Sequence, residues 1–198
     1  MPNPPKLIEK IEEYLKTHLT QHRCEHVLSV RDQAAKLANR HNINSDQSEL
    51  AALLHDSLKE IPNDELLQYA KEQGFLIDKY EEKNISLLHG KLAPFFAKNQ
   101  FGIDDEVVNN AMRKHTTGAA EMGSVDKVLF VADFCEPLRR HTESNAVRTL
   151  AEHDLETAAF EVIKHKIQKN LSKNRIIHPD SFKAYNAMAQ NCTEGNLQ

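Results

Sequence analysis

Apolar residues recur at helical spacing along almost the whole chain. Ile8, Ile11, Leu15 and Leu19 follow one another every three or four residues, a spacing that places them on one face of an α-helix. No segment shows the sustained apolar–polar alternation of a half-buried strand. The pattern therefore predicts an all-α protein. Further helices are predicted at Val27–Ala38, from Ser45 through Leu50–Leu58, from Pro62 to Gly74, at Leu87–Phe96 with a bend at Pro94, at Asp104–His115, at Val125–Phe134, at Asn145–Glu152, at Asp154–Leu171 and from about Pro179.

Composition favours an ordinary globular protein. The 198 residues are 40% hydrophobic and 27% charged and contain no repeat or interior linker, so we expect one domain over residues 1–198 with a frayed tail at Thr193–Gln198. A net charge of −4 gives no basic field for a nucleic-acid polymer. No apolar run reaches the length of a membrane span and the N-terminus lacks an apolar signal core. We therefore predict a cytoplasmic protein that binds neither membrane nor nucleic acid.

One histidine–aspartate pair stands in an unusual setting. His55 and Asp56 lie within the apolar segment Leu50–Lys59, where burial of both groups is costly unless something compensates. A metal ion is the commonest compensation, because it makes both side chains ligands. The chain supplies its own comparison, because the second pair, His153 and Asp154, stands in a polar stretch. We interpret that second pair as an exposed helix start.

Four more histidines and aspartates stand in or beside apolar helical segments: His26, His89, His115 and Asp133. Each alone also fits a hydrogen-bonded core residue. Together with the first pair they give four imidazoles and two carboxylates, too many for one tetrahedral site and suitable for two five- or six-coordinate metals. Mixed imidazole and carboxylate ligation suits iron, manganese, zinc or nickel.

Several short motifs carry a family resemblance. They are Arg23-x-x-His26, Leu54-His-Asp-x-x-Lys59, Leu88-His-Gly90, His115-Thr-Thr-Gly118 and Ala132-Asp-x-x-Glu-Pro137, with Arg148 and Ile177-His-Pro179 further on. In this order they resemble the HD-domain metal phosphohydrolases, and most closely the YqeK-type symmetrical diadenosine tetraphosphatases of bacteria. The resemblance implies a single-domain helical bundle with a binuclear metal centre, iron being the metal most often found. One metal would take His26, His55, Asp56 and Asp133, and the other His89 and His115, with Asp56 bridging.

The resemblance also implies a hydrolase that acts on acid anhydrides. A hydroxide activated by the two metals would attack an inner phosphorus of diadenosine tetraphosphate and release two ADP. Asp56, Lys59 and Arg23 are the expected catalytic residues. The expected substrate-binding residues are Arg23, Lys59, Thr116, Thr117, Gly118, Arg139 and Arg148. For Arg139, a plain surface charge is an equally good interpretation.

The sequence alone leaves other functions open. Within hydrolases, the alternative is an HD-type mononucleotide or alarmone phosphohydrolase. An HD-type di-iron oxygenase uses the same ligand types, but Lys59, Arg23 and the His115–Gly118 turn favour phosphate chemistry. A nucleotide sensor without turnover is disfavoured, because the set of six metal ligands is complete and sensors that have lost activity usually lose ligands. The expected partner is a dinucleoside polyphosphate or a nucleotide, and a homodimer is also allowed.

Overall fold

A computed structural model of the protein describes residues 4–194, with side chains described from residue 6 to residue 190. Within that range the chain forms eleven α-helices and one short 3-10 helix, and no β-strand, so the all-α prediction is confirmed. The predicted fraying falls largely on residues 195–198, outside those described. The helices are α1 (Pro4–His18), α2 (Gln21–Arg40), α3 (Ser45–Leu54), α4 (Asn63–Glu72), α5 (Lys79–Lys83), the 3-10 helix (Ile85–Leu87), α6 (Leu88–Phe101), α7 (Glu106–Lys114), α8 (Ser124–Cys135), α9 (Thr142–Ala151), α10 (Leu155–Ser172) and α11 (Pro179–Glu194).

Helices α2 and α8 form the centre of the bundle. Helix α2 packs against α3 and α8, while α7 packs against α3, α6 and α8. Helix α10 covers α8 and contacts α9 and α11. Fully buried apolar residues such as Val30 and Leu37 of α2 and Phe130 of α8 occupy the space between these layers. The helices that meet in this core are those that carry the predicted metal ligands, so the packing of the bundle determines where the ligands lie.

The structure corrects the predicted helix through Leu58. Helix α3 ends at Leu54, and His55 and Asp56 follow it in a series of hydrogen-bonded turns. The reason is competition for the last carbonyl groups: the ring Nδ1 of His55 lies 2.6 Å from the carbonyl oxygen of Ala52, and Ser57 Oγ donates to that of Leu54 at 2.9 Å. Side chains that donate hydrogen bonds to backbone carbonyl groups compete with the N–H groups of the next turn, and this favours the end of the helix.

The structure differs from the sequence-based prediction in two other places. Helix α6 runs without interruption from Leu88 to Phe101 with Pro94 inside it, where a bend or restart was expected. Helix α5 and the 3-10 helix were not predicted, because they are short and show no apolar periodicity. Helix α5 depends instead on a capping box, in which Asp78 accepts from the backbone N–H of Glu81 and the Glu81 side chain accepts from that of Asp78.

None of the described helices is both long enough and apolar enough to cross a bilayer.

The second histidine–aspartate pair begins a helix, as predicted. Asp154 is the N-cap of α10, and its carboxylate accepts from the Thr157 backbone N–H at 2.9 Å and from the Thr157 hydroxyl at 2.5 Å. These hydrogen bonds from Thr157 lower the pKa of the Asp154 carboxyl below its usual value. The pair therefore has a local structural role far from the buried cluster described below.

Replacement of this cap gives a first prediction. Asp154→Ala should lower the free energy of unfolding by about 1 kcal/mol near neutral pH. Because the folded-state pKa of Asp154 is depressed, the contribution is present above the unfolded-state pKa and is lost as the pH falls through the folded-state pKa. Urea unfolding of both proteins over a pH series measures this. A difference that stays constant into acid, or none near neutrality, would contradict the assigned cap.

Candidate metal centre

Four imidazole rings converge on the carboxylate of Asp56. Its Oδ1 lies 3.0 Å from Nε2 of His89 and 3.6 Å from Nε2 of His115. Its Oδ2 lies 3.6 Å from Nε2 of His55 and 3.8 Å from Nε2 of His26. All five side chains are buried. Each oxygen of Asp56 therefore faces its own pair of histidines, which is the geometry of a bridging carboxylate.

The cluster divides into two sets of ligand atoms that share Asp56. His26, His55 and Asp56 form one set, and Asp56, His89 and His115 form the other. Within each set the candidate ligand atoms all lie within 4.8 Å of one another. Asp133 adds to the first set, because its Oδ1 lies 3.3 Å from Nε2 of His26. The structure thus brings together all six residues that the sequence selected.

Backbone carbonyl groups orient three of the four rings. In each of these rings Nδ1 donates a hydrogen bond to the carbonyl oxygen three residues earlier, and a carbonyl oxygen only accepts. Nδ1 must therefore carry the proton, which leaves the Nε2 lone pair free to bind a metal. The acceptors are the carbonyl oxygens of Ala52, Ser86 and Met112, for His55, His89 and His115 respectively.

The fourth ring is oriented by a buried carboxylate. His26 Nδ1 lies 3.1 Å from Oε1 of Glu136, which is itself 1% exposed. The other oxygen of Glu136 accepts from the hydroxyl of Ser29 at 2.7 Å and from the backbone N–H of Leu138 at 2.6 Å. A carboxylate that holds the outer nitrogen of a ligating histidine in this way fixes the ring and raises its basicity. Glu136 therefore acts on the metal site through His26.

The inward nitrogen atoms fit a cation better than they fit one another. Within the described residues, the buried Nε2 atoms of His26 and His55 have no hydrogen-bond partner. The Nε2 atoms of His89 and His115 lie 3.0 Å apart, and with both Nδ1 atoms protonated two lone pairs would face each other. Buried polar atoms without partners are costly. The donor set of imidazoles and carboxylates fits divalent transition metals, which would satisfy every one of these atoms.

Burial and mutual contacts set the charge states of the cluster. Burial lowers the pKa of His55 to about 4 and also lowers the pKa of His115, so both rings are neutral ligands. Burial opposes ionisation of Asp56 and Asp133, but neighbouring histidines hold the pKa of each carboxyl well below its usual range, and Lys166 adds to this effect at Asp133. For His26, burial lowers the pKa, but the nearby carboxylates of Asp133 and Glu136 more than offset this and raise it to about 9. A metal ion bound at Nε2 would displace the proton there.

A cavity of about 1020 Å³ opens above the cluster. The predicted catalytic and substrate-binding residues that line it are Arg23, Asp56, Lys59, Thr116 and Arg139. Arg23 Nη1 lies 2.7 Å from Oδ2 of Asp56, and Lys59 donates to Ser86 Oγ at 3.2 Å. Arg139 Nη2 lies 3.4 Å from Oδ1 of Asp133. These contacts hold three cationic side chains beside the carboxylates of the cluster.

The structure places three other predicted substrate-binding residues outside the cavity lining. Arg148 donates to the backbone carbonyl groups of Cys135, Glu136 and Arg139. Thr117 Oγ1 donates a hydrogen bond to the carbonyl of Gly118. Gly118 has a φ of +69° and packs against Ala184 of α11. These residues shape the segments that carry Glu136 and His115, and their contacts give them a positioning role.

Lys166 of α10 lines the cavity and was missed by the sequence analysis. Its ammonium donates to the carbonyl of His115 at 2.7 Å and lies 4.3 Å from the ring centroid of Phe130. Burial lowers the pKa of Lys166 to about 8. A signal was present in the sequence, since Lys166 follows the buried Val162 and Ile163 by four and three residues and so shares their apolar face.

An all-helical bundle around a buried cluster in which four histidines share one aspartate defines a protein of the HD type with a candidate metal site. Residues 23–138 match the HD domain family, and the chain belongs to that family.

Two curated proteins and one crystal structure are similar to this chain over most of its length. A protein of Halalkalibacterium halodurans is 33% identical over 90% of this chain and 95% of its own length, and one of Bacillus subtilis is 35% identical over 87% and 92%. Both are named symmetrical bis(5'-nucleosyl)-tetraphosphatase. A crystal structure from Clostridium acetobutylicum, described as a predicted HD superfamily hydrolase involved in NAD metabolism, has a TM-score of 0.89 and 31% identity and covers 93% of this chain and 97% of its own.

Gly90 gives a prediction about ligand geometry. A Cβ atom at this position would lie 3.0 Å from Cε1 of His115 and 3.1 Å from the carbonyl oxygen of Met112. In an ordinary helix interior, Gly→Ala stabilises by about 1 kcal/mol. Here we expect Gly90→Ala to displace the His115 ring and reduce metal content, without the usual gain in stability. Metal analysis and thermal unfolding of the purified variant measure both effects. Full metal content with raised stability would show that the ring does not need this space.

Proposed function

We propose that the protein is a metal-dependent hydrolase that cleaves diadenosine tetraphosphate symmetrically to two ADP. The observation that carries the proposal is the division of the buried cluster by Asp56 into two ligand sets beneath a cavity lined with cations. The similarity to the symmetrical tetraphosphatases extends over about nine tenths of the chain. It therefore extends beyond the matched HD segment into α10, which supplies Lys166 and Lys169 to the cavity lining.

Six side chains would hold the two metals: His26, His55, Asp56 and Asp133 for one, and His89 and His115 with Asp56 for the other. When bound, two divalent cations supply a water of lowered pKa and neutralise charge on phosphate oxygens. Iron is the metal we favour, while manganese, zinc and nickel suit the same donors. The hydrogen bonds to their Nδ1 atoms aim the Nε2 atoms of the four histidines inward.

The cationic side chains around the cluster would bind and orient the phosphates. Arg23 and Arg139 present guanidinium groups, whose planar donors match phosphate oxygens in pairs. Lys59 and Lys166 add point charges, and burial lowers the pKa of both, which reflects their partly desolvated position. Charges held in place before the reaction stabilise the negative charge that develops on the leaving phosphate. Thr116 also lines the cavity beside them.

The same lining bears on the alternative functions. A mononucleotide phosphohydrolase would use the same ligands, but the cavity contains more cationic side chains than one phosphate group requires. An alarmone also carries several phosphates, and against that alternative our proposal is supported by the similarity to the symmetrical tetraphosphatases. A di-iron oxygenase that acts on an uncharged substrate would gain nothing from four cations beside the metal ligands. The charge of the lining therefore favours a substrate with several phosphates.

The products of the reaction test this function. With diadenosine tetraphosphate in heavy-oxygen water, we expect two ADP, one of them carrying a single heavy oxygen, because water attacks an inner phosphorus. The reaction should proceed equally well without dioxygen, since hydrolysis consumes none. Chromatography and mass spectrometry of the nucleotides measure both points. ATP and AMP in equal amounts, or a requirement for dioxygen, would overturn the proposal.

A further inference from the structure

The cationic side chains of the cavity fall into two groups. Arg23, Lys59, Arg139 and Lys166 each contact a protein acceptor close to the metal ligands. The other group lines the same cavity, but within the described residues its side chains have no hydrogen-bond or ion-pair partner in the protein. Its members are Lys83, Arg140, Lys169 and Arg175.

Three members of this second group come from three segments that line the cavity and are linked to one another by hydrogen bonds. Lys83 ends α5, Lys169 lies in the last turn of α10, and Arg175 lies in the link between α10 and α11. His178 joins two of these segments, because its Nε2 lies 3.2 Å from Oδ2 of Asp78, the N-cap of α5. We call Lys83, Lys169 and Arg175 the outer rim.

The outer rim carries positive charge that the protein leaves unbalanced. The carboxylates that line the cavity are Asp56, Asp133 and Glu136, and all three are engaged with His26 or the other cluster histidines. Convergent like charges repel one another, and a polyanion relieves that repulsion while it gains charge-assisted hydrogen bonds. The cations near the cluster already suffice for the phosphates at the reacting bond, so the outer rim fits further phosphates of the same ligand.

An apolar side chain lies next to the outer rim. Ile176 follows Arg175 directly, is 55% exposed and lines the cavity. An exposed aliphatic side chain beside phosphate-binding cations offers a surface for the apolar face of a nucleoside. The combination suits a nucleoside diphosphate group.

We propose that the outer rim is a second phosphate subsite that holds the nucleoside diphosphate half of the substrate lying beyond the bond at the metal ligands. The proposal rests on the proposed function and assigns to Lys83, Lys169 and Arg175 a role in distinguishing dinucleoside polyphosphates from shorter phosphate compounds. The rim would bind substrate and transition state alike, because it touches none of the reacting atoms. Its contribution should therefore be found in KM.

Kinetics with a neighbouring control test the subsite. The double variant Lys169→Ala, Arg175→Ala should raise KM for diadenosine tetraphosphate by about tenfold or more, with a smaller change in kcat, since the loss of about 1.4 kcal/mol of binding is tenfold. Lys173→Ala removes one exposed charge four residues after Lys169, outside the cavity lining, and should leave KM unchanged. Equal KM values in the double variant and in the wild type would overturn the subsite.

A binding measurement separates failure of the subsite from failure of the proposed function. Calorimetric titration of the metal-loaded protein with inorganic tripolyphosphate needs no turnover, and we expect the double variant to bind it about tenfold more weakly than Lys173→Ala does. If the wild type failed to cleave diadenosine tetraphosphate but the two variants still differed in their affinity for tripolyphosphate, the subsite would stand and the proposed reaction would fall. An unchanged dissociation constant in the double variant would reject the subsite, whatever the protein hydrolyses.

Discussion

The candidate metal site depends on one repeated hydrogen bond, from the Nδ1 atom of a histidine to a fixed acceptor. For His55 and His115 the acceptor is a carbonyl in the last turn of the preceding helix, where carbonyl groups have no partner within the helix. The same bond therefore completes a helix end and fixes a tautomer. It also explains why His55 and Asp56 must follow α3 and cannot lie within it. Without these bonds the Nε2 lone pairs would not all point at Asp56.

Charge is distributed around this site in layers. In the buried inner layer, burial keeps the imidazoles of His55 and His115 neutral, and the carboxylates of Asp56 and Asp133 have low pKa values. Neutral imidazoles and ionised carboxylates are the forms that bind cations. Around it lies a layer of cationic side chains, of which Arg23 and Arg139 contact the inner carboxylates directly. The outer rim adds cations whose side chains have no partner among the residues that the structure describes. A substrate that carries phosphate along its length and a nucleoside at each end matches this order from the centre outward.

The sequence predicted the class of fold and selected every residue of the buried cluster, because apolar periodicity reports burial and a buried histidine or aspartate is conspicuous. It failed where structure depends on contacts between distant segments. The end of α3 depends on side chains that take backbone carbonyls, and α5 depends on a capping box, so neither follows from periodicity. Lys166 reaches the cavity only because α10 packs against α8. Arg148 was selected through the family resemblance as a substrate-binding residue, but its donors hold the backbone that carries Glu136.

The central claim is that the two histidine pairs around Asp56 hold two metal ions. Metal content per chain tests this most directly, measured by elemental analysis on protein expressed and loaded under identical conditions. We predict about two ions in the wild type, about one in His89→Ala, which keeps the set with His26 and His55, and almost none in Asp56→Ala, which loses the bridge. Asp154→Ala alters the exposed second pair and should keep both ions. If the Asp56 and His89 variants kept two ions each, or if the Asp154 variant lost them, the account would be wrong.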